Sequence, residues 1–195
     1  LMVMLGILDG DAVDIAESVA DWIDSDMVAA PRGAEDQYYL QQENPYRTAN
    51  ALIDDVSELR TIKGVSDDIF VRLAPWTCAL PTTDLSPINI NTLRPEQAIL
   101  LAMLGAVPSD LTPARQFLGR RPELGYGSLN DFWAQSYPAS LGATSEVQSQ
   151  VKLTTRWFRA DLTVEMQSAL VEERALIDAA RRPGRLVHRQ RGDAL

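Results

Sequence analysis

The chain has 195 residues, of which 46% are hydrophobic and 23% charged. These proportions are ordinary for a globular protein that buries a core, and the length suffices for one large domain or two small ones. The net charge of -9 at pH 7 disfavours a nucleic-acid partner, because phosphate binding requires basic residues. One cysteine, Cys78, and one histidine, His188, exclude an intrachain disulfide and any metal site built from several cysteines or histidines.

The opening residues, LMVMLGIL, are apolar but much shorter than the roughly 18 residues of a membrane-spanning helix. They also lack the basic flank and the cleavage site of a signal peptide. Because the chain begins with Leu1, we expect it to be part of a longer protein.

Residues 11–23 are predicted to form an amphipathic helix. Its apolar residues recur at helical spacing: Ala12, Ile15, Ala16, Val19, Trp22 and Ile23. On the opposite side, Asp14 and Glu17 are interpreted as a solvated face. Asp21 and Asp24 lie beside the following loop, so both a solvated face and a role in the loop remain open for them.

The stretch from Asp24 to Asn50 is acidic, yet it contains aromatic residues that favour packing. Its clustered carboxylates are those of Asp24, Asp26, Glu35 and Asp36. A packed loop with clustered carboxylates is typical of a site for a hard cation such as calcium. We therefore expect an ion-ordered loop, with an ion-free acidic surface loop as the alternative.

The calcium-hand template does not fit this loop. Counted from Asp24, Asp26 matches the third position, but Val28 occupies the fifth and Gly33 comes too late for the sixth. Any ion site is therefore irregular and adds backbone carbonyls to carboxylates from both ends of the loop. A glycosidase-like pair of acids is disfavoured, since nothing marks one acid as buried and protonated.

Short helices separated by glycine turns follow. Asp55 and Glu58 form a capping box that opens a helix to Ile62, Gly64 supplies a turn, and Ser66 caps a helix that ends at Ala74-Pro75. The pattern repeats with a cap at Thr92, Pro95 in the first turn, a helix to about Leu104 and a turn over residues 105–108. Further helices are predicted over residues 112–118 and, opened by Ser128 and Asp131, in LNDFW.

These tandem elements resemble helix-hairpin-helix modules, many of which hold DNA phosphates through backbone amides at the hairpin. A nucleic-acid-binding protein of that type is the alternative function. Asp67 and Asp68 stand beside the presumed phosphate position and would repel a phosphate. We therefore expect helix-hairpin-helix-like elements that do not bind nucleic acid.

From about Glu146 the apolar pattern changes to a period of two, with a phase slip at Trp157-Phe158 that indicates a bulge or a strand start. The segment ALVEERALIDAA favours helix by propensity. The Pro183-Gly184 turn before RLVHRQR nevertheless favours a hairpin, and we predict a small antiparallel sheet. His188 is predicted on an edge strand, without a catalytic partner.

Long motifs in order along nearly the whole chain carry a family resemblance: ADWIDSD, RGAEDQYYL, NPYRTAN, VSELRTIKG, RLAPWTCALP, ININT and TTRWFRADLTVE. They resemble the K-type minor pseudopilins of type II secretion systems (general secretion pathway protein K). The membrane-spanning N-terminal helix of that family is absent from this sequence, and the tail after Ala169 is too divergent to align.

The resemblance implies an α+β fold, in which a large helical domain with helix-hairpin-helix-like (SAM-like) repeats joins a small antiparallel pseudopilin β-sheet. The expected domains are a pseudopilin stub (residues 1–10), the inserted helical domain with its calcium loop (11–145) and the sheet (146–195). The implied cofactor is calcium, held by Asp24, Asp26, Glu35 and Asp36, with Glu43 and Asn50 as further candidates.

The resemblance also implies a non-enzymatic protein of the periplasm that sits at the tip of the pseudopilus. Its expected partners are the I-type and J-type minor pseudopilins, with no nucleic acid. Its only expected membrane contact is the N-terminal helix that anchors the full-length protein in the bacterial inner membrane.

Overall fold

The computed structural model of the protein describes residues 1–105, 110–167 and 169–192. The chain divides into two compact units, the first of which is Leu1–Leu85, while the second begins at Ser86. We call the first the acidic unit, because it carries sixteen aspartates and glutamates against five lysines and arginines. The division at Ser86 lies within the expected helical domain of residues 11–145, and the expected domain boundaries stay a prediction.

The acidic unit is organised by α1 (Asp9–Ile23), which begins two residues earlier than predicted. Its apolar face is buried, as the periodicity predicts, and Ile15 is the most deeply buried residue of its cluster. The opening residues contain a 3₁₀ helix, Val3–Leu5, and fold back onto the cluster formed by Ile7, Ile15 and Leu73.

Short elements complete the acidic unit: α2 (Asp36–Tyr39), a 3₁₀ helix (Val56–Thr61), α3 (Asp67–Leu73) and a second 3₁₀ helix (Ala74–Trp76). The predicted capping box is confirmed, since Asp55 and Glu58 each accept a backbone N–H at the start of Val56–Thr61. Ser66 accepts from the Ile69 N–H and caps α3, again as predicted.

The second unit begins with β1 (Ile88–Asn89), which pairs in parallel with β2 (Val151–Lys152). Between them the described residues form a 3₁₀ helix (Pro95–Gln97) and the helices α4 (Ala98–Ala102), α5 (Leu111–Gly119), α6 (Leu129–Trp133), α7 (Ser136–Ser140) and α8 (Ser145–Gln150). The predictions of α5 and α6 are confirmed, including the Ser128 cap. The helix-hairpin-helix-like character of these elements stays a prediction.

Two predictions in this unit are wrong. Thr92 does not cap a helix, because its hydroxyl donates to the Asn89 carbonyl, and the helical segment instead begins at Pro95 with the Gln97 side chain accepting from the Arg94 N–H. The period-two pattern does not make a strand from Glu146, because Thr144 caps α8 there. The predicted turn over residues 105–108 lies largely outside the described residues.

A three-stranded antiparallel sheet closes the chain, in the order β3 (Trp157–Met166), β4 (Ala169–Asp178) and β5 (Arg185–Arg191). The strand start at Trp157 is confirmed, and so is the strand prediction for the ambiguous ALVEERALIDAA segment, which pairs on both sides. His188 is exposed on edge strand β5, as predicted. The sheet thus confirms a mixed helix-and-sheet fold.

One face of this sheet carries a row of exposed apolar side chains on β3, and we call it the apolar sheet face, although Glu173 lies on it opposite Leu162. On β3 it carries Phe158, Leu162, Val164 and Met166, each about half exposed or more. The register places Val171 opposite Val164, so the face continues onto β4. No helix in the described ranges is long and apolar enough to cross a membrane.

Candidate metal site

Three carboxylates of the acidic unit meet at the C-terminal end of α1. They belong to Asp21 in the last turn, Asp24 directly after it and Glu35 directly before α2, and one oxygen from each lies within 4.8 Å of the other two. Asp21 is only 3% exposed and Glu35 only 4%. We call these three side chains the carboxylate cluster.

Contacts with the loop after α1 hold the Asp21 side chain in this cluster. Its carboxylate accepts the Ala30 N–H at 3.1 and 3.2 Å, which fixes the loop against the helix. Gly33 leaves the necessary space, because a Cβ on that residue would stand 2.0 Å from Asp21 Oδ2. The absence of a side chain at Gly33 therefore allows a buried aspartate to lie against the loop backbone.

The carboxylate of Glu35 is only partly satisfied by hydrogen bonds. Its Oε2 accepts the Thr48 hydroxyl at 3.3 Å, but its Oε1 is buried without a hydrogen-bond partner. Burial raises the pKa of Glu35, and the nearby charges of Asp21 and Asp24 raise it further, whereas the Thr48 hydrogen bond opposes them. A buried carboxylate oxygen without a partner is costly unless a proton or a cation satisfies it.

The basic residues around the cluster are engaged elsewhere. Arg32 pairs with Asp14, Arg47 pairs with Asp36, and Lys63 donates to the carbonyl oxygens of Arg32 and Gly33 at 3.1 and 2.9 Å. Among the residues that the structure describes, no lysine or arginine forms an ion pair with Asp21, Asp24 or Glu35. The cluster thus lacks an internal counter-charge.

Aromatic packing holds the loop in place around the cluster. Tyr39 is fully buried and meets the Trp22 ring edge-on, with the centroids 5.3 Å apart. Its hydroxyl accepts the Lys63 N–H at 3.3 Å, and burial raises its pKa to about 12. The packing of a tyrosine-rich acidic segment predicted from the sequence is therefore confirmed.

The structure unites only part of the predicted ligand set. Asp24 and Glu35 join the cluster, together with Asp21, which the predicted set omits although its place beside the loop was a usable signal. The other predicted residues stay outside it. Asp26 accepts the Val28 N–H, Asp36 binds Arg47 and Thr48, and Glu43 and Asn50 are exposed.

The donor set suits a hard divalent cation. Carboxylate oxygens are the usual calcium ligands, and Glu35 supplies one that is buried, unpartnered and close to two further carboxylates. An open cleft of about 400 Å³, lined by Met27, Gly33 and Glu35, reaches one member of the cluster from solvent.

Comparison with known proteins identifies the family. Two family models, both described as type II secretion system (T2SS) protein K, match residues 1–82 and 88–154. Type II secretion system protein K of Pectobacterium carotovorum subsp. carotovorum is 33% identical over 94% of this chain and 56% of its own length. The protein of that name from Aeromonas hydrophila is 36% identical over 85% of this chain and 50% of its own.

The chain therefore spans about half the length of these curated relatives. Among solved structures, it is similar to a chain of the GspK-GspI-GspJ complex from the enterotoxigenic Escherichia coli type 2 secretion system. The TM-score is 0.83 at 27% identity, and the match covers all of this chain and 69% of that one. By its sequence and its fold, this chain belongs to the type II secretion system protein K family.

Proposed function

We propose that this chain is part of a K-type minor pseudopilin that assembles with I-type and J-type minor pseudopilins at the tip of a secretion pseudopilus. The similarity to a chain of the GspK-GspI-GspJ complex over the whole of this chain carries the proposal. The function is steric and adhesive rather than enzymatic, in keeping with a family that is a component of secretion machinery. The full-length protein would act in the periplasm, anchored in the inner membrane by an N-terminal helix.

Calcium is the second part of the proposal. Asp21, Asp24 and Glu35 would hold the ion, because their oxygens are close together and the buried Glu35 Oε1 has no partner. The ion would supply positive charge that the carboxylate cluster lacks and would tie the end of α1 to the start of α2. Its role would be structural, since binding only to the folded state stabilises that state.

The nucleic-acid alternative has no support in these observations. Asp67 and Asp68 both open α3, at the place where a phosphate would have to approach the backbone amides. Arg60 and Arg72 pair with these two aspartates, so the nearby basic groups are already engaged. The family match is to a secretion component.

The apolar sheet face is the surface that we propose for partner docking. Half-exposed Leu162 and Val164 lie on it two residues apart, and exposed apolar side chains that lie together often mark an interaction site. The carboxylate cluster would remain free of partners.

The test mixes this domain with the soluble domains of the I-type and J-type minor pseudopilins and follows complex formation by size exclusion. Wild type should co-elute with both partners. Leu162→Glu should abolish co-elution while the calcium-dependent shift in melting temperature survives. Thr163→Glu, on the opposite face of the same strand, serves as the control and should still co-elute.

Failure of the wild-type chain to co-elute would contradict the assembly proposal. If Glu35→Ala instead breaks the complex without unfolding the domain, the calcium loop is the docking surface and the sheet assignment is wrong.

A further inference from the structure

Exposed arginines are concentrated in the turn that joins β4 to β5. Arg181 and Arg182 are adjacent, Arg185 is the first residue of β5, and all three side chains are exposed. Within the residues that the structure describes, none of the three forms an ion pair. The whole chain carries a net charge of -9 at pH 7, so this turn is opposite in sign to the molecule that carries it.

The acid nearest to these arginines in the sheet is already neutralised by another arginine. Arg156 donates to both carboxylate oxygens of Asp178 at 2.8 Å. Residues 156–157 and 178–185, which form this end of the sheet, contain four arginines and one aspartate, a formal net charge of +3. The positive charge of the turn is therefore available to a ligand.

Backbone contacts hold the turn against the sheet. The Ala179 N–H donates to the Arg156 carbonyl at 2.8 Å, and the Ala180 N–H donates to Asp178 Oδ1 at 2.9 Å. On the other side of the turn the backbone packs closely, since a Cβ at Gly184 would stand 3.2 Å from Ile177 Cγ2. A turn fixed in this way loses less entropy on binding than a free segment does.

A tryptophan lies beside the arginines. The register of the sheet places Trp157, Asp178 and Arg185 next to one another on the three strands. The Arg156 guanidinium lies over the Trp157 ring, 4.6 Å from its centroid. Tryptophan favours the boundary between lipid and water, because its ring is apolar and its N–H is polar. We call Trp157, Arg181, Arg182 and Arg185 the arginine end of the sheet.

We propose that the arginine end of the sheet binds the phosphate groups of anionic phospholipids at a membrane surface. A guanidinium group donates two parallel hydrogen bonds to a phosphate, which makes arginine well suited to this ligand. The neighbouring Trp157 favours a lipid surface over an acidic protein surface as the source of negative charge. The contact is peripheral and adds to the N-terminal helix that the family resemblance implies.

The contact is weak and reversible. Strongly bound basic segments carry roughly four to eight lysines and arginines, whereas this turn offers three without an ion pair. Such a contact orients the sheet at the surface and does not anchor the protein there. It is separate from the assembly with I-type and J-type minor pseudopilins, so its failure would leave the proposed function untouched.

The acidic unit does not prevent this contact, although an anionic surface repels it. Its sixteen acids and five bases belong to residues 1–85, outside the sheet. At physiological ionic strength the Debye length is about 8 Å, so only groups that come this close to the headgroups are strongly attracted or repelled. Binding therefore requires that the arginine end, and not the acidic unit, meets the membrane.

Sedimentation of the chain with vesicles measures the binding. One set of vesicles contains phosphatidylglycerol and phosphatidylcholine in equal parts, and the other contains phosphatidylcholine alone. Wild type should bind the first set and not the second, and rising salt should weaken the binding because it screens the attraction. The double variant Arg181→Gln/Arg182→Gln should lower the partition coefficient about tenfold or more, since it removes two basic groups from the contact.

The chain offers two control variants. Arg115→Gln/Arg120→Gln removes the same amount of charge from exposed residues of α5 and the position directly after it, and it should bind like wild type. Leu162→Gln changes the apolar sheet face without changing the charge, and it should also bind like wild type. Thermal unfolding should show that both double variants keep wild-type stability, because exposed side chains are replaced.

Inorganic phosphate distinguishes a lipid surface from a site for a free anion. At matched ionic strength, phosphate should displace the chain from the vesicles no better than chloride does. Displacement by phosphate alone would identify a free-anion site and overturn the membrane assignment. Equal binding to both sets of vesicles, equal losses in the two double variants or loss of binding in Leu162→Gln would each overturn the proposal as well, because binding would then not depend on the arginine end.

Discussion

The acidic unit and the β-sheet differ in whether basic side chains balance the charge of their carboxylates. In the sheet, Asp161, Glu173 and Asp178 each accept hydrogen bonds from arginine side chains, and these bonds hold all three pKa values below their usual range. In the acidic unit, Glu35 is buried beside two other carboxylates, and its pKa is raised. The sheet thus carries its own counter-charges, whereas the carboxylate cluster does not.

This difference shows why counting acids along a sequence is a poor guide to ion binding. Three acids in the sheet lie 2.6–3.0 Å from an arginine nitrogen, and that arginine supplies the counter-charge. At the end of α1 the nearby bases bind other groups, so only a proton or a cation from solution could balance the cluster. The two regions differ in whether the nearby lysines and arginines pair with the carboxylates.

Calcium should produce the largest effect. Saturation at about a hundredfold excess over the dissociation constant adds about 2.7 kcal/mol to the free energy of unfolding, which corresponds to a rise in melting temperature of about 5–10 °C. Thermal unfolding in calcium and in chelator measures this difference. Asp21→Asn should remove most of it, because Asp21 belongs to the cluster. An unchanged midpoint across millimolar calcium would contradict the site.

Asp24→Asn and Asp26→Asn form a matched pair for this measurement. Asp24 is in the cluster, whereas the Oδ1 of Asp26 accepts the Val28 N–H. The calcium shift should therefore be lost in the first variant and largely kept in the second. Equal losses would show that the ligand set predicted from the sequence, which includes Asp26, describes the site better than the cluster does.

Gly33→Ala should have the next largest effect. The new methyl group would overlap Asp21 Oδ2, so the carboxylate must leave the cluster. We expect a loss of about 1–3 kcal/mol in the free energy of unfolding together with a greatly weakened calcium response. Gly127→Ala is the control, since nothing lies within 4 Å of a Cβ at that position. Equal responses to calcium in the two variants would show that Asp21 need not lie against Gly33.

Glu35→Gln should change stability in opposite directions with and without the ion. In chelator the variant should melt above wild type, because it removes a buried charge beside Asp21 and Asp24. In calcium it should melt below wild type, because a ligand carboxylate is gone. If the variant melts below wild type in chelator as well, Glu35 is not strained in the ion-free protein.

The pH dependence of stability in the ion-free protein tests the same cost of burying the Glu35 charge. Because the pKa of Glu35 is raised on folding, the native state binds its proton more tightly than the unfolded state. The Glu35 contribution therefore favours folding increasingly as the pH falls from the raised pKa towards the usual value. In chelator, the advantage of Glu35→Gln over wild type should shrink across that window.

The sequence predicted local structure best where one residue decides the outcome. The Asp55–Glu58 capping box, the Ser66 cap and the Ser128 cap are present, because a cap depends on neighbours within four residues, whereas Thr92 bonds the Asn89 carbonyl instead of capping a helix. The ALVEERALIDAA segment forms β4 despite its helical propensity, since pairing on both sides outweighs a weak local preference. Here the turn after it was the better signal.

The site was predicted less completely, because its membership depends on tertiary contacts. The sequence shows that Asp24, Glu35 and Asp36 belong to one acidic stretch. It does not show that Arg47 and Thr48 donate hydrogen bonds to the Asp36 carboxylate. Likewise, nothing in the composition shows that Gly33 makes room for Asp21. Which carboxylates remain without a partner is known only once the loop has folded.

The smallest expected effect belongs to Asp178, the sheet counterpart of Glu35. Arg156 donates to both of its oxygens at 2.8 Å and, with the Ala180 N–H, lowers its pKa to about 2. A lowered pKa stabilises the fold at a pH above the unfolded value of about 3.9, and this contribution is lost as the pH falls through about 2. Asp178→Asn should therefore lower the melting temperature slightly at pH 7 and not at all below pH 2, and its calcium shift should equal that of wild type. Glu165→Gln, at an exposed acid of the same sheet, is the control and should match wild type at both pH values. A calcium shift that falls in Asp178→Asn would show that the two regions are coupled, and the contrast between them would no longer hold.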